Sequence, residues 1–96
     1  MTVEEVKSKI IPTLKKYGVK FAGIFGSVAR GEGTSNSDVD ILVSINRPMG
    51  IYEFMALQFD LENDLGCKVD LVSKGAVNKY IRPYIEKELL PIYEGH

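Results

Sequence analysis

The chain has 96 residues, with 12 lysines and arginines against 13 aspartates and glutamates, and a formal net charge of −1. That length implies a single domain, 1–96, with one modest core, and it excludes a two-lobed enzyme. The balanced charge excludes a broad basic field for gripping long nucleic acid, and the lone Cys67 excludes an internal disulfide.

The first predicted element is a helix. Val3, Val6, Ile10, Leu14 and Tyr17 recur at steps of three and four, with Glu and Lys between them. Thr2 and Glu5 have the spacing of a capping box, and Gly18 is placed to stop the helix. Pro12 predicts a kink or a missing hydrogen bond near residue 8. No basic region followed by an apolar one opens the chain, and no run approaches the roughly 20 apolar residues of a membrane span. The chain therefore reads as cytoplasmic.

Residues 20–25 form a short apolar run, read as a buried strand. Residues 31–37 are a loop by composition. Val39, Ile41, Val43 and Ile45 then alternate with Asp38, Asp40, Leu42 and Ser44, which is the period of a second strand. Residues 51–65 form a second helix with Phe54, Leu57, Leu61 and Leu65 as its inner stripe and Gly66 as its stop. A third strand covers 67–72, with Cys67, Val69 and Leu71 on one face and Cys67 a buried, inert thiol. Residues 76–88 are helical but interrupted, with Pro83 opening a last short helix. Leu89 to Tyr93 reads as a terminal edge strand that tolerates Pro91. This order predicts an α/β or α+β fold, a sheet with helices packed mainly on one face.

One stretch carries chemistry. Gly26 follows the first strand, where it lets the backbone turn sharply. Ser27 offers a hydroxyl and an amide. Val28 to Arg30 have the length of one helical turn whose free N–H groups suit a phosphate, and Arg30 adds a cation for it. Taken alone, this is more often a plain strand-to-helix turn that needs glycine for its dihedrals. Asp38 and Asp40 weigh against that plain reading. They share a strand face about 6.6 Å apart, where two carboxylates repel unless a divalent cation relieves them. Asp70 joins them if the second and third strands are neighbours. Three carboxylates beside a phosphate loop suit metal-assisted phosphoryl or nucleotidyl transfer.

The run Gly26-Ser27-Val28-Ala29-Arg30-Gly31-Glu32, five residues, then Asp38-Val39-Asp40, resembles the signature of the DNA polymerase β-like nucleotidyltransferase superfamily. It is closest to the minimal nucleotidyltransferases, which carry Gly-Ser-x-Ala-Arg-Gly, a short loop, Ser-Asp-x-Asp-hydrophobic and a later strand Asp. Ser37 supplies the Ser, Ile41 the hydrophobic position and Asp70 the later Asp. The resemblance implies a small mixed β-sheet with helices on one side. It implies that Gly26 and Ser27, with Arg30 and Ser37, bind the nucleotide, and that Asp38, Asp40 and Asp70 are both catalytic and metal-binding. Two Mg²⁺ ions and ATP follow as cofactor and substrate, with Asp70 also helping to activate the acceptor hydroxyl. Minimal nucleotidyltransferases act as antitoxins beside a HEPN-domain ribonuclease toxin, so transfer of AMP to a toxin tyrosine is the expected activity. Two alternatives stay open: a non-catalytic antitoxin that covers the toxin, and the donor subunit of a two-component antibiotic-modifying enzyme. The short chain leaves no acceptor site of its own, so the acceptor is expected from a partner chain or from a dimer of this one.

Other residues receive plainer readings. His96 is a frayed terminal residue. Lys74, Lys79 and Arg82 follow the third strand and face either solvent, the triphosphate or a partner. Tyr80 and Tyr84 pack in the core or meet a partner. The stretch Met49–Phe59 is more apolar than one buried stripe needs, which points to partner contact or dense packing.

Overall fold

Thr2 starts the first helix as its spacing predicts. In the computed structural model, which describes residues 1–33 and 38–95, α1 spans Val3–Lys16 and Glu5 N–H donates to Thr2 Oγ1 at 3.1 Å. The Glu5 carboxylate takes the Thr2 hydroxyl at 3.3 Å, where a full capping box would have it take the backbone amide. The helix runs through Pro12, which is exposed; the missing amide leaves the Ser8 carbonyl without its usual donor. Gly18, at φ +69°, ends the element in the left-handed region.

The remaining elements are β1 (Phe21–Phe25), a short turn of helix α2 (Gly26–Ala29), β2 (Val39–Ser44), α3 (Ile51–Leu65), β3 (Val69–Ser73), a 3₁₀ turn (Lys74–Ala76), α4 (Arg82–Glu88) and β4 (Leu90–Glu94). The sheet order is β3-β2-β1-β4. β1 pairs antiparallel with β2 and β4, while β2 and β3 are parallel and joined by the crossover through α3. The sheet is thus mixed. Its third strand begins at Val69, later than the alternation beginning at Cys67 suggests. Parallel pairing starts only where the Lys68 carbonyl accepts Val39 N–H at 3.0 Å. The outer edge of β3 is covered at its start by α3: Gln58 donates to the Val69 carbonyl and Glu62 accepts its amide, each at 3.0 Å.

Residue parity along the strands divides the sheet into two faces. Ala22, Ile24, Val39, Ile41, Val43 and Val69 bury one face against Val6, Ile10 and Leu14 of α1 and Leu57, Leu61 and Leu65 of α3. Arg47 ties this layer together, donating to both Glu53 carboxylate oxygens and to the Tyr17 carbonyl. The opposite face carries Phe21, Gly23 and Phe25 beside Asp40 and Leu42. The two long helices lie on one side, as expected, but α4 covers part of the other. Gly23 makes this possible, because a Cβ there would stand 2.7 Å from Leu89 Cδ1. Among the described residues, no helix is long and apolar enough to cross a membrane.

Candidate active site

The site lies on the face opposite α1 and α3, where β1 and β2 end and begin. Hydrophobic positions of β2 point into the core, so Asp40 points away from it together with Leu42. Parallel pairing places Asp40 directly opposite Asp70, and antiparallel pairing places it opposite Phe25. The neighbouring strands that sequence reasoning required are therefore present. Asp38 precedes β2 and is exposed, as is Asp70, whereas Asp40 is half-buried.

That arrangement is strained electrostatically. Burial pushes the Asp40 carboxyl above the ordinary carboxylate range. The Asp70 charge, a hydrogen bond shared with Asp70 and the Asp38 charge push it further, and Arg30 pulls it back.

Gly26 is the first residue of the turn that faces these carboxylates. It has φ +77°, and a Cβ on it would overlap Asp40 Oδ2. No other residue fits that position for both reasons at once. α2 then begins at Gly26, and the Ser27 carbonyl accepts Glu32 N–H at 2.9 Å, bringing Glu32 back onto it. The Arg30 guanidinium is held by Glu32 at 3.1 Å through Nε and by Glu88 at 2.8 Å through Nη1. Both carboxylates raise its pKa. Glu88 also accepts Gly26 N–H at 3.2 Å. Sequence reasoning missed Glu88; the one available signal was an acidic residue in the last turn of a short helix, where the dipole disfavours it. Ser37 lies outside the described residues, as does His96.

The residues present fit a divalent cation. Asp40 and Asp70 are a crowded pair with Asp38 at their rim, which is a donor set of hard oxygens with repulsion to relieve. Among the described residues, no three His, Cys, Asp or Glu side chains form a preformed cage. An open pair of that kind suits Mg²⁺, which binds through one or two carboxylates and substrate phosphates.

The flanking groups are sorted by exposure. Lys74 and Arg82 line a cavity of about 220 Å³ between α4 and the sheet, with Phe21, Leu42, Ile85 and Leu89. Lys79 Nζ sits 5.2 Å from the centre of the Tyr80 ring. Tyr80 and Tyr84 are each 73% exposed, so core packing does not apply to them. Ile51, Tyr52, Met55 and Phe59 are also exposed along the outer side of α3, which answers the apolar excess of that helix. Cys67 is half-buried, more open than its place on the core face of the alternation implies, and burial raises its thiol pKa.

Comparison with known proteins agrees with this geometry. The family model for polymerase beta nucleotidyltransferases matches residues 8–95. A Methanocaldococcus jannaschii relative that carries a protein adenylyltransferase name, MJ0128, is 44% identical over 94 residues, covering 93% of this chain and 96% of its own. Protein adenylyltransferase MntA of Thermococcus cleftensis is 36% identical over 94 residues, covering 94% and 95%. A solved structure described as a minimal nucleotidyltransferase superposes with a TM-score of 0.81 at 30% identity, covering 95% of this chain and 96% of that one. The fold also matches, with a TM-score of 0.75 at 19% identity, a complex of a tri-AMPylated Shewanella oneidensis HEPN toxin with an MNT antitoxin, covering 96% of this chain and 72% of that one.

Proposed function

The chain belongs to the polymerase β nucleotidyltransferase family, and on that premise we propose that it transfers AMP from ATP to a tyrosine hydroxyl of a partner protein. The observation that carries the reading is the register pair Asp40–Asp70 set against a glycine whose Cβ would overlap Asp40. The protein adenylyltransferase names of full-length relatives support the acceptor class. The toxin complex with the same fold supports a HEPN-domain toxin as the partner, and an antitoxin role for this chain.

In this reading the turn receives the triphosphate through Ser27 and the backbone amides that follow Gly26, while Glu88 holds the Gly26 N–H, Arg30 holds the turn's far end and Ser37 completes the nucleotide contacts. Asp38, Asp40 and Asp70 would hold two Mg²⁺ ions, whose chemistry there would be neutralisation of charge on the phosphates. The acceptor oxygen attacks the α-phosphorus in line, forming a new P–O bond as the α–β anhydride bond breaks. Pyrophosphate leaves, and Asp70, exposed at the edge strand, takes the hydroxyl proton. Tyr80, Ile81 and Tyr84 lie on or beside α4, which covers the same sheet face as the carboxylates, so they favour an acceptor docking from that side.

The test is a mass measurement. With Mg²⁺ and ATP, the chain should raise its cognate toxin's mass by whole AMP units, and Asp40→Asn should abolish the change. Full neutralisation of the toxin by an Asp38→Asn/Asp40→Asn variant would instead favour neutralisation by binding alone.

A further inference from the structure

Glu88 closes α4, at the helix end where a carboxylate is disfavoured unless something compensates it. Two groups of the turn facing Asp40 do so. Glu88 Oε2 accepts Gly26 N–H at 3.2 Å, and Oε1 accepts from Arg30 Nη1 at 2.8 Å. These donors are the first residue of α2 and the residue that caps its end. A single carboxylate therefore spans the whole turn.

Glu88 is held in place from its own side of the sheet. Leu89 lies over Gly23, and Leu90 is in register with Ile24. The side chain is 36% exposed, so the bridge is only partly screened by water. Arg30 neutralises a carboxylate that would otherwise repel a polyphosphate. Glu32 grips the same guanidinium through Nε at 3.1 Å, so Arg30 is anchored from two sides.

We infer that Glu88 is a positioning residue for the nucleotide, acting through Gly26 and Arg30 to fix the 26–30 turn relative to Asp40. The inference rests on the nucleotidyltransferase reading. Two competing roles make different predictions. A carboxylate that only stands in for phosphate is displaced by the ligand, so its removal tightens binding. A link that only stabilises the fold leaves the affinity of folded protein unchanged.

The experiment is calorimetric titration of magnesium–ATP into wild type, Glu88→Ala, Glu88→Gln, Arg30→Ala and the Arg30→Ala/Glu88→Ala double variant, each shown folded by circular dichroism. Glu88→Ala should weaken binding about tenfold, the scale of a lost charge-assisted hydrogen bond. Glu88→Gln keeps an acceptor for Gly26 N–H and should lose about threefold, on the same scale. The double variant should bind no more weakly than the weaker single variant, because both act through one bridge. Unchanged or tighter binding by Glu88→Ala overturns the inference alone, and the same criterion applied to Glu88→Gln serves if the alanine variant does not fold. A wild type that binds no magnesium–ATP overturns the nucleotidyltransferase reading and this inference with it.

Discussion

Asp40→Asn should make the metal-free protein more stable while removing its activity. Asp40 is half-buried and opposes Asp70 across a parallel strand pair, with Asp38 adding further repulsion. Two unit charges about 5 Å apart interact by about 0.8 kcal/mol at the dielectric of water, and by more where water is partly excluded. Exposure of Asp70 screens the pair, so a gain of about 0.5–1 kcal/mol is expected. Asparagine keeps the side-chain shape, and its Nδ2 can donate to the Asp70 carboxylate, so packing is not disturbed. In a domain of this size that gain corresponds to a rise of about 2–8 °C in Tm. The assay is urea or thermal unfolding of both proteins at pH 7 in chelator. The direction with pH follows from the same observation. Asp40's folded pKa is raised, so the folded state binds the extra proton and wild-type stability falls as pH rises through that raised value. Asp40→Asn should lose that component of the pH dependence. An asparagine variant less stable than wild type in chelator would refute the reasoning, because the carboxylate would then be a net stabiliser.

Two other perturbations probe the frame around the site. Gly26→Ala places a methyl against Asp40 at φ +77°, so it should destabilise by about 1–3 kcal/mol in urea unfolding and abolish ATP binding. Tyr17→Phe removes the phenolic hydroxyl that donates to Asp60 Oδ2 at 2.6 Å, and should cost about 1 kcal/mol at neutral pH. That hydrogen bond, then burial, pushes the Tyr17 pKa from 10.0 to about 12. The folded value is raised, so the stabilisation is complete below about pH 10 and disappears as pH climbs through about 12. Unfolding curves of wild type and Tyr17→Phe should therefore converge across that range.

Much of this site was legible in the residues because it depends on local period and short spacing. Alternation put Asp38 and Asp40 off the core face, and a glycine at the end of an apolar strand marked the turn. The pairing of Asp40 with Asp70 needed one tertiary fact, the adjacency of β2 and β3, which the helical crossover between them made a natural expectation. What stayed hidden depends on longer reach. Glu88 meets Gly26 only because β4 returns beside β1 and carries α4 across the second face. The tyrosines of that segment share a helical spacing that suits a core or a surface equally, and burial alone decides it. The start of β3 slipped by two residues because Cys67 fits the alternation without having a ladder partner in β2.

The central claim is nucleotidyl transfer, and isotopic position tests it most directly. The protein is incubated with the toxin proposed as its acceptor, Mg²⁺ and ATP labelled at either the α- or the γ-phosphate. Attack at the α-phosphorus predicts that the α-label enters the toxin, that the γ-label leaves in pyrophosphate, and that Asp40→Asn abolishes both. Labelling from the γ-position, or an unlabelled toxin with wild type, would contradict the account.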